Sequence, residues 1–517
     1  MAILGRLLKK GIMVRESMEQ QFSSPLELQK HQLRKLLIHS NSTDFGKNFQ
    51  FDQILKSFKN SIIDEFYKVY TSSIPIFSYN KMHDSWWRKT LEGKANVTWP
   101  GRIKYFALSS GTSGSPSKHI PVSAEMIKSI RKTSVRQLLT LSKYEIPDDI
   151  YTRGILMLGG STDLRKNGDY FEGDLSGITT AQIPFWFQRY YKPGKKISKS
   201  QWDIKLDEIT LRARDWDIGI IVGVPAWLQL LLEKIIHHYQ VQTIHDIWPN
   251  LTIFVHGGVS FQPYKKGFER LLERTLIYME TYLASEGFIA FQSRPNQQSM
   301  NLVLNNGIFY EFIPFNATNF DEEGELKPNP NTLHIGQVVL NQPYALLLST
   351  NAGAWRYLIG DVIQFTQLEE AEIIITGRTK LFLSLCGEHL SLDNINKAIE
   401  LTENQMNVAL SEFTVTGIVD NFNFGHHWFV GSDDDFNMQD FQSILDKNLC
   451  ELNDDYKTER NHALKYMRVT RISVTLFYQF LENQGKVGAQ IKFPRVLKGE
   501  QANEWKHFLK ASLNMAH

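Results

Sequence analysis

The sequence predicts an α/β protein of two domains. Three observations carry that expectation. The chain has 517 residues, more than one ordinary core serves. Short apolar runs alternate with stretches of helical spacing through its middle. Beyond about residue 300 the pattern turns first strand-dominated and then helix-rich.

Taken in order, residues 1–14 carry apolar residues interrupted by Arg6, Lys9 and Lys10. A signal peptide places its charge before an unbroken apolar stretch, so this segment reads as a helix of the mature chain. Helical spacing follows in Leu26, Leu28, Leu33, Leu36 and Leu37, then in Phe51, Ile54, Leu55, Phe58, Ile62 and Ile63. Strands are expected at Ile155–Leu158, Ile218–Val222, Thr252–Val255 and Leu302–Leu304, and helices at Ala226–His238 and Phe268–Leu276. From about 302 to 375 strands dominate, with a Gly-, Pro- and charge-rich surface loop at 321–331. A helix-rich segment with two more strands, Phe413–Val419 and Arg471–Leu476, fills 390–517. The boundary falls near Thr376–Lys380, giving domains 1–378 and 379–517.

Lys and Arg number 57 against 55 Asp and Glu, and this balance offers no whole-chain case for nucleic acid or an acidic membrane. No apolar run approaches the ~20 residues that span a bilayer. Cys386 and Cys450 are too few for a disulfide framework or a structural zinc site, which fits a reducing, cytoplasmic setting.

The chemistry concentrates in Ser109-Ser110-Gly111-Thr112-Ser113-Gly114-Ser115-Pro116-Ser117-Lys118, which follows the apolar Tyr105–Leu108. A strand running into Gly and hydroxyl residues offers backbone N–H groups and Oγ donors to phosphate oxygens, and a lysine matches their charge. The spacing is neither that of a Walker A loop nor of a Gly-x-Ser-x-Gly nucleophile elbow. A flexible Ser/Gly linker is the bland alternative.

This segment resembles the phosphate loop of adenylate-forming enzymes, with one additional residue before the lysine. It is more similar still to that of the Gretchen Hagen (auxin-responsive promoter) family of acyl acid amido synthetases. Two further family motifs follow in order: Tyr282-Leu283-Ala284-Ser285-Glu286-Gly287 and Arg356-Tyr357-Leu358-Ile359-Gly360-Asp361. Leu358 stands where the plant members usually carry a second arginine, so that side chain's role does not carry over. The segments 43–47, 256–258, 377–380 and 490–495 are also similar, so the resemblance runs from about 40 to 495.

The resemblance implies a large N-terminal adenylate-forming α/β domain with a strand-rich subdomain, and a smaller mobile C-terminal α+β lid. It implies ATP and Mg2+, a small carboxylic acid, and an amine acceptor, an amino acid by preference. Ser109, Ser110, Gly111, Thr112, Ser113, Gly114 and Lys118 are then the phosphate grip. Glu286 matches the acid beside the magnesium, Ser285 shares its motif, and Tyr282 and Tyr357 lie by the adenosine. Asp361 matches the acid that accepts both ribose hydroxyls, with Arg378 reaching the same sugar and Arg356 structural instead. Lys492 is the lid lysine and Lys486 its competitor. The residues do not name a base for the second step; His256, His426, His427 and Glu388 are available. Phe185, Trp186, Phe187 and Trp227 could line an acyl pocket or equally the core. Two other readings stay open: an acyl-coenzyme A ligase, and a nucleotide-binding or host-interacting protein whose catalysis has been redirected. Oligomeric state is not legible.

Overall fold

The computed structural model describes residues 24–58, 63–109, 118–183, 187–200, 202–258, 261–321, 324–379, 382–420, 423–432, 434–484 and 493–514. The first fourteen residues therefore lie outside it. The described residues form two compact units, one up to Thr379 and one from Phe382 onward.

In the first unit the leucine spacing produces helix α1 (Pro25–Ser40), begun by Ser24, whose side chain accepts from the Glu27 N–H. Helix α2 (Ile63–Ser73) follows. A four-stranded sheet has the order β2-β1-β5-β4, from β1 (Tyr105–Ser109), β2 (Lys118–Val122), β4 (Arg165–Asn167) and β5 (Tyr170–Gly173). Helix α3 (Ala124–Thr140) leads to β3 (Gly154–Leu158), and α4 (Leu175–Ala181) follows β5.

An eleven-stranded sheet organises the unit, in the order β12-β13-β14-β15-β11-β10-β9-β8-β7-β3-β6. One half is parallel: β6 (Tyr191–Lys192), β3, β7 (Ile218–Gly223), β8 (Ile253–Gly257) and β9 (Ile277–Ala284). Helices α5 (Trp202–Arg212), α6 (Pro225–Tyr239) and α7 (Gln262–Glu269) supply its crossovers. The other half is antiparallel: β10 (Gly287–Phe291), β11 (Met300–Leu302), β12 (Ile308–Pro314), β13 (Pro343–Thr350), β14 (Tyr357–Gln367) and β15 (Glu372–Arg378). Strand β9 belongs to both halves.

The expected strands at 155, 218 and 252 are thus the parallel half. The helix expected at Phe268–Leu276 is corrected: the helix is Gln262–Glu269, with Pro263 in its first turn. The chain has left it by Leu271, whose carbonyl accepts from Ile244 N at 2.9 Å.

The second unit opens with the short pair β16 (Phe382–Leu383) and β17 (Leu390–Ser391) and helix α8 (Leu392–Met406). Its sheet, β20-β19-β18-β21, comprises β18 (Glu412–Asp420), β19 (Asn423–Gly431), β20 (Leu464–Arg471) and β21 (Val496–Leu497). Helices α9 (Met438–Leu452), α10 (Asp454–Asn461), α11 (Val474–Asn483) and α12 (Gly499–Asn514) accompany it. Trp505, fully buried, packs with Phe477, Phe480 and Phe493. The strand expected at Arg471–Leu476 is a second correction: Arg471 ends β20, and Ser473 caps α11 by accepting from Thr475 N. That cap turns a β-compatible apolar run into a helix.

A buried polar group fixes the start of this unit. Glu388 and His426 are both fully buried and meet at 2.8 Å, while Glu388 also accepts the N–H groups of Leu385 and Cys386. Burial alone pushes the Glu388 carboxyl up, but the His426 bond and charge and those two N–H groups hold it down at about 2. Its folded value lies below its unfolded one, so the stability it adds is present above about pH 4.5 and lost as pH falls toward 2. Acid titration of tryptophan fluorescence should therefore show a low-pH loss of structure in the wild type. In Glu388→Gln that limb is expected to flatten.

Candidate active site

Strand β9 and β10 form a hairpin closed by Ser285-Glu286, with Ala284 opposite Gly287. Gly287 has a positive φ (+145°) that disfavours any side chain, and a Cβ there would meet the end of the Ile308 side chain at 2.9 Å. The turn therefore holds Ser285 and the half-buried Glu286 at the carboxyl end of β9. This is where an α/β sheet takes its ligands.

Two strands from the antiparallel half bring the remaining groups. Asp361 on β14 pairs in register with Arg378 on β15. Its Oδ1 accepts from Arg378 Nε at 2.7 Å, and its Oδ2 accepts from the Tyr282 hydroxyl of β9. The Asp361 charge, foremost, raises the Arg378 guanidinium above its ordinary value. Burial, and then Asp361, raise the Tyr282 hydroxyl well above its own. Glu286 adds to both shifts, so its charge acts in the same cluster. A carboxylate offers about four acceptor positions. Asp361, 8% exposed, accepts one bond each from Arg378 and Tyr282, and so has acceptor positions to spare.

The backbone is shaped to aim Asp361. Leu358 pairs with Leu347 and Val362 with Ala345, so Ile359, Gly360 and Asp361 stand opposite the single residue Leu346. Such a bulge redirects side chains and recurs beside active sites. Gly360 supplies the positive φ (+89°) it needs, and its carbonyl accepts from Thr379 N at 2.8 Å.

Arg356 and Tyr357 of the same Arg-Tyr-x-x-Gly-Asp motif are buried. Arg356, with a left-handed φ of +41°, is 4% exposed. Its Nε lies 3.0 and 3.1 Å from the two carboxylate oxygens of Glu311 on β12. Its other nitrogens donate to the carbonyls of Thr71 and Ile74 and to Thr332 Oγ1. Burial works against this cation, but Glu311 more than offsets it and the guanidinium titrates above its usual value. Tyr67 of α2 also donates to Glu311, and the Arg356 N–H donates to Ser349 Oγ. Tyr357 is 2% exposed and packs on Trp87 at 5.3 Å between ring centres. Its burial, first, and then the Glu286 charge push its hydroxyl up.

Of the expected phosphate grip, Ser109 ends β1 and Lys118 begins β2, both half-buried. Ser110, Gly111, Thr112, Ser113 and Gly114 lie outside the described residues, as do Lys486 and Lys492. His256, at the carboxyl end of β8, is 5% exposed, and burial pushes it down to about 4. Its Nδ1 has no partner among the described residues. His426 and Glu388 are taken up by their mutual pair, and His427 bonds Thr470 Oγ1 at 2.8 Å. Among the described residues no group of three or more His, Cys, Asp or Glu could hold a metal by itself. A Mg2+ carried on nucleotide phosphates needs only one or two protein carboxylates. Sequence reasoning missed Glu311, Tyr67 and Ser349, because their partnership with Arg356 exists only once β12, β13 and β14 are side by side.

The fold is that of the adenylate-forming enzymes. The solved structure of AtGH3.15 acyl acid amido synthetase in complex with 2,4-DB is similar with a TM-score of 0.57 at 16% identity, covering 97% of this chain and 96% of that one. A 2-hydroxyisobutyryl-CoA ligase in complex with 2-HIB-AMP and CoA is similar with a TM-score of 0.59 at 10% identity, covering 94% and 92%. The family models for the GH3 N-terminal, central and C-terminal domains match residues 14–213, 301–376 and 393–501. The chain belongs to the GH3 family. Among curated relatives, jasmonoyl–L-amino acid synthetase JAR6 of Nicotiana attenuata is 23% identical over 269 residues, 49% of this chain and 45% of the relative. The probable indole-3-acetic acid-amido synthetase GH3.9 of Oryza sativa subsp. japonica is 24% identical over 182 residues, 33% of this chain and 39% of the relative. The match thus spans less than half the length of these relatives.

Proposed function

We propose that this chain uses ATP to adenylate a small carboxylic acid and passes the acyl group to an amine, an amino acid by preference. The Tyr282–Asp361–Arg378 cluster at the carboxyl end of β9, drawn from two family motifs and the similar segment 377–380, carries the reading.

A carboxylate and ATP repel each other, and the carboxylate oxygen is a weak nucleophile toward phosphorus. An enzyme accelerates the step by holding the two in line and by compensating charge that moves onto the phosphates. In this reading Asp361 accepts the two ribose hydroxyls and fixes the nucleoside, and Arg378 orients that carboxylate and reaches the same sugar. Tyr282 and Tyr357 build the wall by the adenosine. Ser109 to Gly114, with Lys118, grip the phosphates, and Ser285 and Glu286 stand at the turn facing them. Magnesium, when bound through Glu286 and the phosphates, neutralises phosphate charge. Glu286→Gln should raise several-fold the Mg2+ concentration that half-saturates acid-dependent ATP turnover. An unchanged Mg2+ requirement would remove Glu286 from that role.

The segment after about residue 379 acts as a lid that brings Lys492 to the developing negative charge. One cation ~4 Å away at an effective dielectric of ~20 contributes roughly 4 kcal/mol before desolvation. Lys492→Ala is therefore expected to cut adenylation by about 100-fold or more, and Lys486→Ala by far less. The reverse order would exchange their roles. Two free cysteines, and no membrane-crossing helix among the described residues, support a cytoplasmic setting.

The acyl-adenylate is a mixed anhydride with AMP as leaving group, so a neutral amine attacks its carbonyl directly. Product analysis tests the acceptor. Chain, ATP, acid and amino acids should give an amide and AMP by mass spectrometry; a coenzyme A thioester in place of the amide would replace this reading with a CoA ligase.

A further inference from the structure

A buried lysine outside the motifs bears on the carboxyl edge of the sheet. Lys205 of α5 is 3% exposed, and its Nζ lies 3.1 Å from Gly159 O and 3.4 Å from Gly160 O. These two carbonyls belong to the loop that leaves the carboxyl end of β3. Burial pushes the Lys205 ammonium down to about 8, with the Asp174 charge opposing it. An apolar side chain would fill the space without a desolvation cost, so holding the loop is what the ammonium adds.

The loop is held from other sides as well. Gly160 N donates to Ser176 Oγ at 2.8 Å, and Thr162 N to Ser198 O at 3.0 Å. A Cβ on Gly159 would meet Ser176 Oγ at 2.7 Å, and one on Gly160 would meet Asp174 Cβ at 2.8 Å. Two glycines pressed this closely on α4 have no side chains to anchor them, so the loop is held by its backbone, through the Gly160 N–H and the two carbonyls.

Position gives the hold a function. Leu158 of β3 pairs with Gly223 of β7, Gly223 with His256 of β8, and Gly257 with Thr281 of β9. Three strand spacings of about 4.8 Å set the loop ~14 Å along this edge from the nucleoside cluster on β9. The loop therefore lies on the same carboxyl edge, on which an α/β sheet takes its ligands, and clear of the nucleoside cluster.

We infer that Lys205 is a positioning residue for the acyl acid, fixing through the Gly159 and Gly160 carbonyls the wall against which the acid sits. The inference rests on the acid-activating reading above. Lys205→Met should raise the acid KM about tenfold or more in ATP–pyrophosphate exchange, with the ATP KM held within about twofold. Lys205→Gln, which keeps an N–H donor, should give a smaller rise of the same kind and serves where Lys205→Met does not fold. Faster amide hydrogen exchange at residues 159–163 is expected in either variant. An acid KM unchanged in a folded variant, or acid and ATP KM rising together, overturns the inference. If the wild type exchanges with no acid, the acid-activating reading fails on that result. Unaltered amide protection in the variants then overturns the hold itself.

Discussion

Asp361→Ala is expected to lower acid-dependent ATP–pyrophosphate exchange by about 100-fold or more while leaving a folded protein. Asp361 is the point where three strands meet: it takes Tyr282 from β9 and Arg378 from β15, and the bulge of β14 aims it. Removing it releases two oriented partners and the acceptor assigned to the ribose. The fold should survive, because Arg378 keeps 30% of its side chain exposed and water can replace the lost carboxylate. Asp361→Asn separates charge from shape, since the amide oxygen can still accept one bond. Exchange should fall in both variants, with thermal midpoints close to wild type. Wild-type rates in both would remove the cluster from the chemistry.

Arg356→Met is expected to act on the other side of the same motif and to destabilise the first unit by about 3–5 kcal/mol. Glu311 exposes 1% of its side chain, and Arg356 is its cation. Without it a carboxylate is left buried beside the hydroxyl of Tyr67, and the carbonyls of Thr71 and Ile74 lose their donor. The double variant Arg356→Met with Glu311→Gln should recover much of the loss, because the uncompensated charge is then gone. Urea denaturation of the two singles and the double closes the cycle. Loss of activity in Arg356→Met without loss of stability would instead make Arg356 part of the chemistry.

These two residues, five apart in one motif, show what the sequence could convey. Asp361 could be singled out only through its Arg-Tyr-x-x-Gly-Asp context, which resembles a family motif; a glycine directly before an acid is by itself an ordinary turn. Its hydrogen bond to Tyr282 carried no sequence signal, since that needs β9 and β14 brought together across the three intervening strands β15, β11 and β10. Arg356 could be read only as an alternative between ligand and scaffold, and Glu311, 45 residues earlier, decides it. The parallel half was legible from its apolar runs, whose strands are buried on both faces. The misread helix at Phe268–Leu276 and strand at Arg471–Leu476 turned on a single proline and a single serine cap. Lys205 gave no signal at all: a lysine between Ile204 and Leu206 on a helix reads as a surface charge, and only the close approach of the Gly159–Gly160 carbonyls buries it.

The measurement that bears most directly on the account is ATP–pyrophosphate exchange with magnesium across a panel of aromatic, indole and fatty carboxylic acids. The account predicts exchange that depends on a particular acid, that Asp361→Ala abolishes, and that needs no acceptor. ATP binding with no exchange for any acid would contradict adenylation and move the assignment to a nucleotide-binding role.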